Sequence, residues 1–365
     1  MSFSSGLGRG PGQGKFCVGF SADFRQKDGS LAFPDIGMSL LEGVQGLSYD
    51  FVREYRAEYT PDQLADYDVL ISLKPRVTAR SLEGVTRLCA FGRCGVGYDN
   101  VDLNACTESG VAVYITPEGV VRPVAESIVL LILALSHRLL QKDRMVRQGR
   151  WAESTQPLGR EPRDRVVGTI GLGNIATEAV RLLRVLDVER FLAYDPYARP
   201  QHAAQAGVEL VSLEELLRES DYVLVNCPLT AETRGILGRE QFAQMKPDAV
   251  LINTARGPIV QEAALIEALE SGQIAGAALD VFEQEPLSAD SPLISMENVI
   301  LTSHSIGWTQ ELFRDLGHID CQGALAIFRG EIPRHVVNPR VFENPRFLEK
   351  LARHKAAYAA REEER

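Results

Sequence analysis

The sequence lacks the signatures of a metal protein and of a disulfide-stabilised secreted one. Its six cysteines include no Cys-x-x-Cys pair and no nearby histidine cluster. A zinc site is therefore not expected, and no metal ligand is predicted. Thiols with this spacing are typical of buried or incidental positions in a reducing compartment, so we expect a cytoplasmic protein.

Long apolar runs and excess positive charge are also missing. The longest apolar run, residues 128–135, is much too short to span a bilayer, and no membrane partner is expected. A net charge of -10 argues against a nucleic-acid binder, whose phosphate contacts need a basic face. Residues 1–14 are rich in Ser and Gly, without the apolar core of a secretory signal, and are predicted to form a disordered tail. A small anionic substrate bound by local arginines stays compatible with this composition.

Short apolar runs alternate with helical patterns along most of the chain, which predicts parallel sheets covered by helices. A chain of 365 residues is expected to form two domains. Helices are predicted at 102–109, at 122–147 as one long apolar helix, after Trp308 to about 329, and in the tail beyond 342. The predicted strands are 16–20, 69–73, 88–91, 111–115, 166–170, 190–194, 222–226, 249–253, 275–279 and 299–301.

A dinucleotide-binding turn follows the strand at 166–170. Gly171 suits a tight turn, Gly173 leaves room for a pyrophosphate, and Ala176 is the small third position. The helix that follows, opening at Asn174 and Ile175, would direct backbone N–H groups at the phosphates. The turn therefore predicts a bound dinucleotide.

An acid at the end of the next strand bears on which dinucleotide is bound. Asp195 lies at the distance from the turn at which a carboxylate binds the ribose hydroxyls. A carboxylate there repels the extra phosphate of NADP, so NAD is the predicted cofactor. The alternative is that Asp195 only caps the turn that it forms with Pro196.

Ligands of an open α/β sheet bind beyond the carboxyl ends of the strands, so the loops at those ends should converge on one cleft. These loops contain Gly171 to Ile175, Asp195, Cys227 and Pro228, Thr254 to Gly257, Asp280, and His304.

Three side chains in these loops are suited to binding a carboxylate and moving a proton. The guanidinium of Arg256 suits a carboxylate and could polarise a carbonyl, although a structural ion pair is the alternative. His304 could move a proton near neutral pH, whereas a lone loop histidine is often only solvated. A carboxylate beside His304 would orient it and favour its protonated form; Glu285 is the candidate and Glu283 the competitor, and spacing alone does not choose between them.

Several ordered motifs resemble those of the D-isomer-specific 2-hydroxyacid dehydrogenases, over roughly residues 65–310. They are Phe91 to Asp102, Gly168 to Ala176, Cys227 to Thr230, Thr233 to Gly235, Met245 to Pro247, Asn253 to Gly257, and Gly276 to Pro286. The resemblance implies two Rossmann/flavodoxin-like, doubly wound parallel-sheet domains with a discontinuous substrate domain. The implied boundaries are 15–118 with 310–340 for substrate, 119–309 for NAD, and a helical extension at 341–365.

The same resemblance implies residue roles and a homodimer formed with help from the long helix. Arg256 would bind the substrate carboxylate, Glu285 would support His304, and the backbone at Val96 and Gly97 would share the carboxylate. The cofactor set implied by the loops and the resemblance is Gly171, Gly173, Asn174, Ile175, Asp195, Cys227, Pro228, Thr233, Thr254, Ala255, Arg256, Asp280, His304 and Gly307.

Departures from the family pattern concern the substrate. Trp308 follows the histidine loop and could restrict the pocket. The usual Arg-Ser pair of the first-domain loop is replaced by Ser72 and Leu73, followed by Lys74 and Arg76. These two cations could receive a phosphate or a second carboxylate, or they could be solvated loop charges.

The predicted function is reversible hydride transfer between NAD and a small D-2-hydroxy acid or its 2-keto partner, such as phosphoglycerate, hydroxypyruvate or glyoxylate. An NAD-binding corepressor-like regulator with weak or no activity is the alternative. Formate dehydrogenase is disfavoured, because its chemistry needs no acid-base glutamate such as Glu285.

Overall fold

A computed structural model describes residues 15–156 and 158–363, and the chain divides into two compact units. The first unit contains the chain up to Val120 and from Thr309 onward, and the second unit is Val121–Trp308. The tail predicted at 1–14 lies outside the described residues.

The first unit contains a five-stranded parallel sheet with the strand order β2-β1-β3-β4-β5. The strands are β1 Phe16–Phe20, β2 Leu47–Phe51, β3 Val69–Ser72, β4 Ala90–Arg93 and β5 Ala112–Ile115. The sequence did not predict β2, an edge strand whose three middle residues are only half-buried and partly polar. The strand predicted at 88–91 begins two residues late, at Ala90.

The first helices are α1 Pro61–Leu64, α2 Leu103–Glu108 and α3 Pro117–Ser136, followed by α4 Leu139–Arg147. Asp102 caps α2 by accepting a hydrogen bond from the backbone N–H of Ala105 at 2.9 Å. The prediction of one helix at 122–147 is wrong, because Arg138 has a left-handed backbone with φ of 55°, which separates α3 from α4.

The apolar part of α3 is longer than the continuous apolar run at residues 128–135. By length and composition, α3 is the one helix of the described residues that could cross a membrane. Its buried face explains that composition, because Ala125, Ile128 and Ile132 are fully buried in the core of the second unit.

The second unit contains a seven-stranded parallel sheet with the strand order β12-β11-β10-β9-β6-β7-β8. The strands are β6 Val166–Ile170, β7 Arg190–Tyr194, β8 Glu209–Leu210, β9 Tyr222–Val225, β10 Val250–Asn253, β11 Gly276–Leu279 and β12 Val299–Leu301. The helices are α5 Asn174–Leu183, α6 Pro200–Ala206, α7 Leu213–Glu219, α8 Arg239–Phe242 and α9 Glu262–Glu270. Each unit contains one parallel sheet accompanied by helices, which confirms the predicted fold class. In the seven-stranded sheet, the sequence failed to predict only the two-residue strand β8.

Two further helices, α10 Gln310–Phe328 and α11 Pro345–Glu363, belong to the first unit. The terminal helix is part of that unit's core and not a separate extension. Phe347 is fully buried, and the ammonium of Lys350 donates to the carbonyls of Leu88, Ser109 and Gly110 at 2.6, 3.1 and 2.9 Å. Burial lowers the pKa of Lys350 to about 8.

A buried aspartate lies at the amino end of each sheet. In the first unit, Asp68 precedes β3 and accepts a hydrogen bond from the N–H of Cys17 at 2.8 Å. In the second unit, Asp221 precedes β9 and accepts from the N–H of Val166 at 2.9 Å. Each carboxylate therefore joins the start of one central strand to the start of its neighbour.

Candidate active site

The turn after β6 has the geometry that a dinucleotide requires. Gly171 has φ of 94°, and a Cβ atom there would lie 2.8 Å from the backbone nitrogen of Cys227. A Cβ built on Gly173 would meet no atom within 4 Å, so open space adjoins the start of α5. That space, beside the helix N-terminus, suits a pyrophosphate.

Asp195 lies at the carboxyl end of β7 and supports the same turn. Its Oδ2 accepts from the N–H of Leu172 at 2.8 Å, and its Oδ1 accepts from the N–H of Tyr197 at 2.9 Å. The turn-capping alternative is therefore part of its role. Each carboxylate oxygen keeps a second lone pair, so these bonds leave acceptors for ribose hydroxyls.

His304 and Glu285 are in contact. The His304 Nδ1 lies 2.8 Å from the Glu285 Oε2, and both side chains are partly exposed. Burial raises the pKa of the Glu285 carboxyl, but the hydrogen bond and charge of His304 outweigh it and lower that pKa overall. Because Nδ1 is engaged by the carboxylate, Nε2 is the nitrogen left to meet a substrate.

The competing glutamate has another partner. The Glu283 Oε1 accepts a hydrogen bond from the N–H of Glu262, at the start of α9, at 3.2 Å. The Glu285 Oε1 accepts from the N–H of Phe282 at 3.2 Å, which leaves Oε2 directed at His304. The geometry therefore selects Glu285.

Asp280 holds the loop that carries His304. It is nearly fully buried, and its Oδ1 accepts from the Thr302 hydroxyl at 2.6 Å and from the N–H groups of Ser305 and Ile306 at 2.9 and 3.1 Å. Its carbonyl accepts from the N–H of His304 at 2.7 Å. The sequence pointed to Asp280 as a cofactor contact and did not indicate this positioning role, because the contacts span more than 20 residues.

Ser127 is a second positioning residue that the sequence did not indicate. It lies on α3, and its single hydroxyl hydrogen is shared between the carbonyl of Pro123 at 2.8 Å and that of Ile306, in the loop after His304, at 3.1 Å. No signal could have found it, since a serine in an apolar helix ordinarily bonds its own helix, as Ser127 also does to the carbonyl of Pro123.

Arg256 follows β10 in a tightly built loop. The Asn253 amide donates to the carbonyl of Arg256 at 3.0 Å, and one guanidinium nitrogen of Arg256 donates to the carbonyl of Ala255 at 2.7 Å. The positive charge of Arg256 helps to lower the pKa of Glu285. A Cβ on Gly257 would lie 1.9 Å from the carbonyl carbon of Phe282, so the loops after β10 and β11 touch backbone to backbone.

The loop after β9 is closed on itself. The hydroxyl of Thr233 donates to the carbonyl of Pro228 at 2.7 Å and accepts from the N–H of Thr230 at 2.8 Å. Burial raises the pKa of Cys227 to about 11, so this residue is a neutral thiol and not a nucleophile. Thr254 and Gly307 lie in the loops after β10 and β12.

The residues predicted to bind substrate in the first unit lie at the carboxyl ends of β3 and β4. The N–H of Lys74 donates to the Asp23 Oδ2 at 3.0 Å. Val96 and Gly97 are half-buried, in a loop whose start is fixed by a bond from the N–H of Cys94 to the carbonyl of Ser72 at 2.9 Å. Trp308, the last residue of the second unit, is 39% exposed.

Comparison with known proteins gives the family. A model described as "D-isomer specific 2-hydroxyacid dehydrogenase, NAD binding domain" matches residues 129–305. The chain is 38% identical over 284 residues to the glyoxylate reductase of Korarchaeum cryptofilum, covering 77% of this chain and 85% of that one. It is also 38% identical to the D-3-phosphoglycerate dehydrogenase of Archaeoglobus fulgidus, covering 74% of this chain and 51% of that one, so it spans about half of that relative's length.

A solved structure extends the likeness to the whole fold. The D-lactate dehydrogenase of Aquifex aeolicus, complexed with NAD and lactic acid, superposes with a TM-score of 0.75 at 26% identity, covering 88% of this chain and 99% of that one. The chain belongs to the D-isomer-specific 2-hydroxyacid dehydrogenase family. The matches confirm the family that the motifs predicted, and they confirm NAD as its cofactor.

Proposed function

We propose that this protein catalyses reversible hydride transfer between NAD and a small D-2-hydroxy acid or the corresponding 2-keto acid. The 2.8 Å contact between His304 and Glu285 carries the proposal, because it supplies an oriented proton donor and acceptor. Both residues lie at the same sheet edge as the dinucleotide turn, since β6, β11 and β12 are parallel strands of one sheet.

Each residue has one task in the reducing direction. Arg256 binds the substrate carboxylate and polarises the keto group, and the backbone at Val96 and Gly97 shares the carboxylate. When bound, NADH supplies the hydride. The His304 Nε2 gives a proton to the keto oxygen, and Glu285 holds the imidazole in position through its contact with Nδ1.

The remaining cofactor residues are assigned by position. We assign the phosphates to Gly171, Gly173, Asn174 and Ile175, and the ribose to Asp195. We assign the nicotinamide end of the cofactor to Thr233, Ala255 and Asp280. The remaining residues of the proposed cofactor site are Cys227, Pro228, Thr254 and Gly307. In Asp280 the Oδ1 holds the histidine loop, so the Oδ2 is the oxygen assigned to the nicotinamide.

The substrate is a short acid. The relatives reported above act, by their names, on glyoxylate, 3-phosphoglycerate and lactate. We propose glyoxylate, hydroxypyruvate and phosphohydroxypyruvate as the first candidates, with Lys74 and Trp308 contacting the end of the substrate away from its carboxylate. NADH oxidation, followed by absorbance with these acids and pyruvate, tests the proposal and ranks the substrates.

A regulatory role is the second candidate function. An NAD sensor of the corepressor kind would bind NADH tightly and oxidise it with none of the acids in the panel. The relatives named above are dehydrogenases and reductases, which favours the enzyme. Tight NADH binding without turnover on any acid would favour the regulator.

We further propose a homodimer. Large apolar side chains are exposed on α3, on α4 and on the segment after it: Leu130 52%, Leu139 52%, Val146 54%, Trp151 73% and Leu158 71%. Exposed apolar side chains on successive segments are typical of a protein–protein interface. Light scattering should give twice the chain mass of 40.2 kDa, and Trp151→Glu with Leu158→Glu should give the monomer; a wild-type monomer contradicts the proposal.

We also propose a cytoplasmic enzyme without nucleic-acid or membrane partners. All six cysteines are buried free thiols, as is typical of a reducing compartment. The net charge of -10 opposes binding to anionic polymers and surfaces. Fractionation of the native cells, with detection by antibody, tests this location.

A further inference from the structure

A fully buried carboxyl group lies in the core of the first unit with only a weak donor beside it. Asp320, on α10, has no exposed surface, and neither of its carboxyl oxygens accepts a hydrogen bond of good geometry among residues 15–156 and 158–363. The Cys94 thiol, a weak donor, is close enough to lower its pKa in part. Buried polar atoms are ordinarily satisfied, and an ionised carboxylate in such a place is costly. The position therefore needs a physical explanation.

Asp320 packs against the strand that leads into the substrate loop, Cys94 to Gly97. A Cβ on Gly92, in β4, would lie 2.8 Å from the Asp320 Oδ1 and 2.6 Å from the Tyr114 Oη. The Tyr114 hydroxyl donates to the backbone carbonyl of Asp320 at 2.8 Å. Gly92 is thus the residue that lets the carboxyl group lie against β4, two residues before the loop begins.

The start of that loop has its own anchors. The N–H of Cys94 donates to the carbonyl of Ser72 at 2.9 Å, and the N–H of Gly95 donates to the Thr116 hydroxyl at 2.7 Å. These bonds fix the backbone that continues to Val96 and Gly97, the groups proposed to share the substrate carboxylate. The Asp320 carboxyl lies at the base of this anchored segment.

The titratable groups around Asp320 come from three elements. Arg93 and Cys94 come from the end of β4, Tyr114 comes from β5, and Cys321 is its neighbour on α10. Burial raises the pKa values of Cys94, Tyr114 and Cys321, so these groups are uncharged at neutral pH. Burial also raises the pKa of Asp320 well above its usual range, and the Cys94 thiol and the Arg93 charge oppose this only in part.

We propose that Asp320 is a positioning residue, which supports the substrate loop as an uncharged acid and weakens substrate binding when it loses its proton to solvent. A neutral carboxyl fits the close packing against Gly92. A carboxylate at the same place puts a negative charge under a loop that must receive an anion, and like charges in a poorly solvated site repel strongly. This inference rests on the proposed function, since it assumes that the loop binds an acid.

The test compares the KM of the best 2-keto acid, at saturating NADH, in the wild type and in Asp320→Asn between about pH 7 and about pH 10. At neutral pH, the two KM values should agree within about twofold. Toward pH 10, the wild-type KM should exceed that of the variant by about fivefold or more, while the ratio of their kcat values stays constant. Because His304 is the same in both proteins, its contribution cancels in the ratio.

Cys321→Ala is the matched control. It removes the neighbouring buried side chain of α10 and leaves the carboxyl group, so it should lower the melting temperature and keep the wild-type dependence of KM on pH. If the asparagine variant does not fold, Asp320→Leu gives an uncharged side chain of similar size for the same comparison.

Two results overturn the inference. One is a wild-type KM that stays constant over this pH range, which needs no variant at all. The other is a parallel rise of KM in the wild type and in Asp320→Asn. Failure of the proposed function is distinguishable, because the wild type would then turn over none of the acids at any pH.

Discussion

Asp68 in the first unit and Asp221 in the second do the same work at the amino ends of their sheets, where each accepts from the first residues of a central strand. Near the carboxyl ends the two units differ. Asp280 in the second unit accepts three hydrogen bonds through a single oxygen, whereas Asp320 in the first unit accepts none of good geometry through its side chain within the described chain. The buried acids at the amino ends join neighbouring strands, whereas Asp280 holds the loop that carries His304 and Asp320 is proposed to support the substrate loop.

The difference predicts a division of labour. In the second unit, the loops after β10, β11 and β12 bring Arg256, Glu285 and His304 to one edge. In the first unit, the loops after β3 and β4 carry Lys74 and the Val96–Gly97 backbone. Changes in the second unit should therefore reduce turnover for every substrate, and changes in the first unit should alter the preference among substrates.

The largest expected effect is that of His304→Ala. Loss of the proton donor should lower kcat by about 100 to 10,000-fold while NADH binding is retained, because the dinucleotide turn is untouched. Steady-state rates and NADH fluorescence titration measure the two quantities. His318→Ala, which changes an exposed histidine of the first unit, is the control; unchanged turnover in His304→Ala would remove this residue from the mechanism.

Arg256→Ala should come next. Loss of the bidentate partner for the substrate carboxylate should lower kcat/KM by about 100-fold, with much of the loss in KM. Arg256→Lys keeps the charge without the planar fork, and its intermediate loss would separate charge from geometry. Equal kcat/KM for Arg256→Ala and the wild type, over the acid panel, would contradict the assignment.

Glu285→Gln should have a smaller effect that depends on pH. The His304 contact lowers the pKa of Glu285, so this carboxylate is charged throughout the neutral range, and its stabilising contact with His304 is lost only as the pH falls through that lowered pKa. Without the carboxylate, the imidazole loses the partner that orients it, so kcat for keto-acid reduction should be about tenfold below the wild type at neutral pH. The difference should narrow as the pH falls through the lowered pKa of Glu285. Glu283→Gln, whose carboxylate bonds α9 instead, should keep the wild-type kcat over this pH range; equal kcat in all three proteins would exclude the role.

The smallest expected effect is that of Lys74→Ala, which probes the first unit. It should leave kcat with glyoxylate within about twofold and raise the KM of phosphohydroxypyruvate by about tenfold, because only the latter carries a second anionic group. Lys27→Ala is the control, since it removes an exposed cation of the first unit outside the loops after β3 and β4. A similar rise for both acids would show that the two units do not divide their tasks in this way.

The sequence predicted the parts of the molecule whose signals are local. The turn at Gly171, the strands on either side of it and the order of the loops follow from contiguous residues, and so does the position of His304. Spacing left Glu283 and Glu285 open, and hydrogen bonds across more than 15 residues decided between them.

The parts that were missed depend on contacts distant in sequence or on backbone conformation. The strand β2 is half-polar, and it forms because β1 offers it an edge. The break between α3 and α4 depends on the left-handed backbone of Arg138. An arginine in a sequence does not predict that conformation. The roles of Ser127 and Asp280 follow from the folded loop at 302–306 and have no signature in a single segment.

The contact at Gly257 has a consequence for how such an enzyme can diversify. Because the segments that carry Arg256 and Glu285 touch through their backbones there, neither can shift without moving the other. The proposed binding of the substrate carboxylate by Arg256 and the support of His304 by Glu285 therefore depend on one rigid part of the chain. New substrates are more easily accommodated through side chains elsewhere, and insertions in either loop should be poorly tolerated in directed evolution.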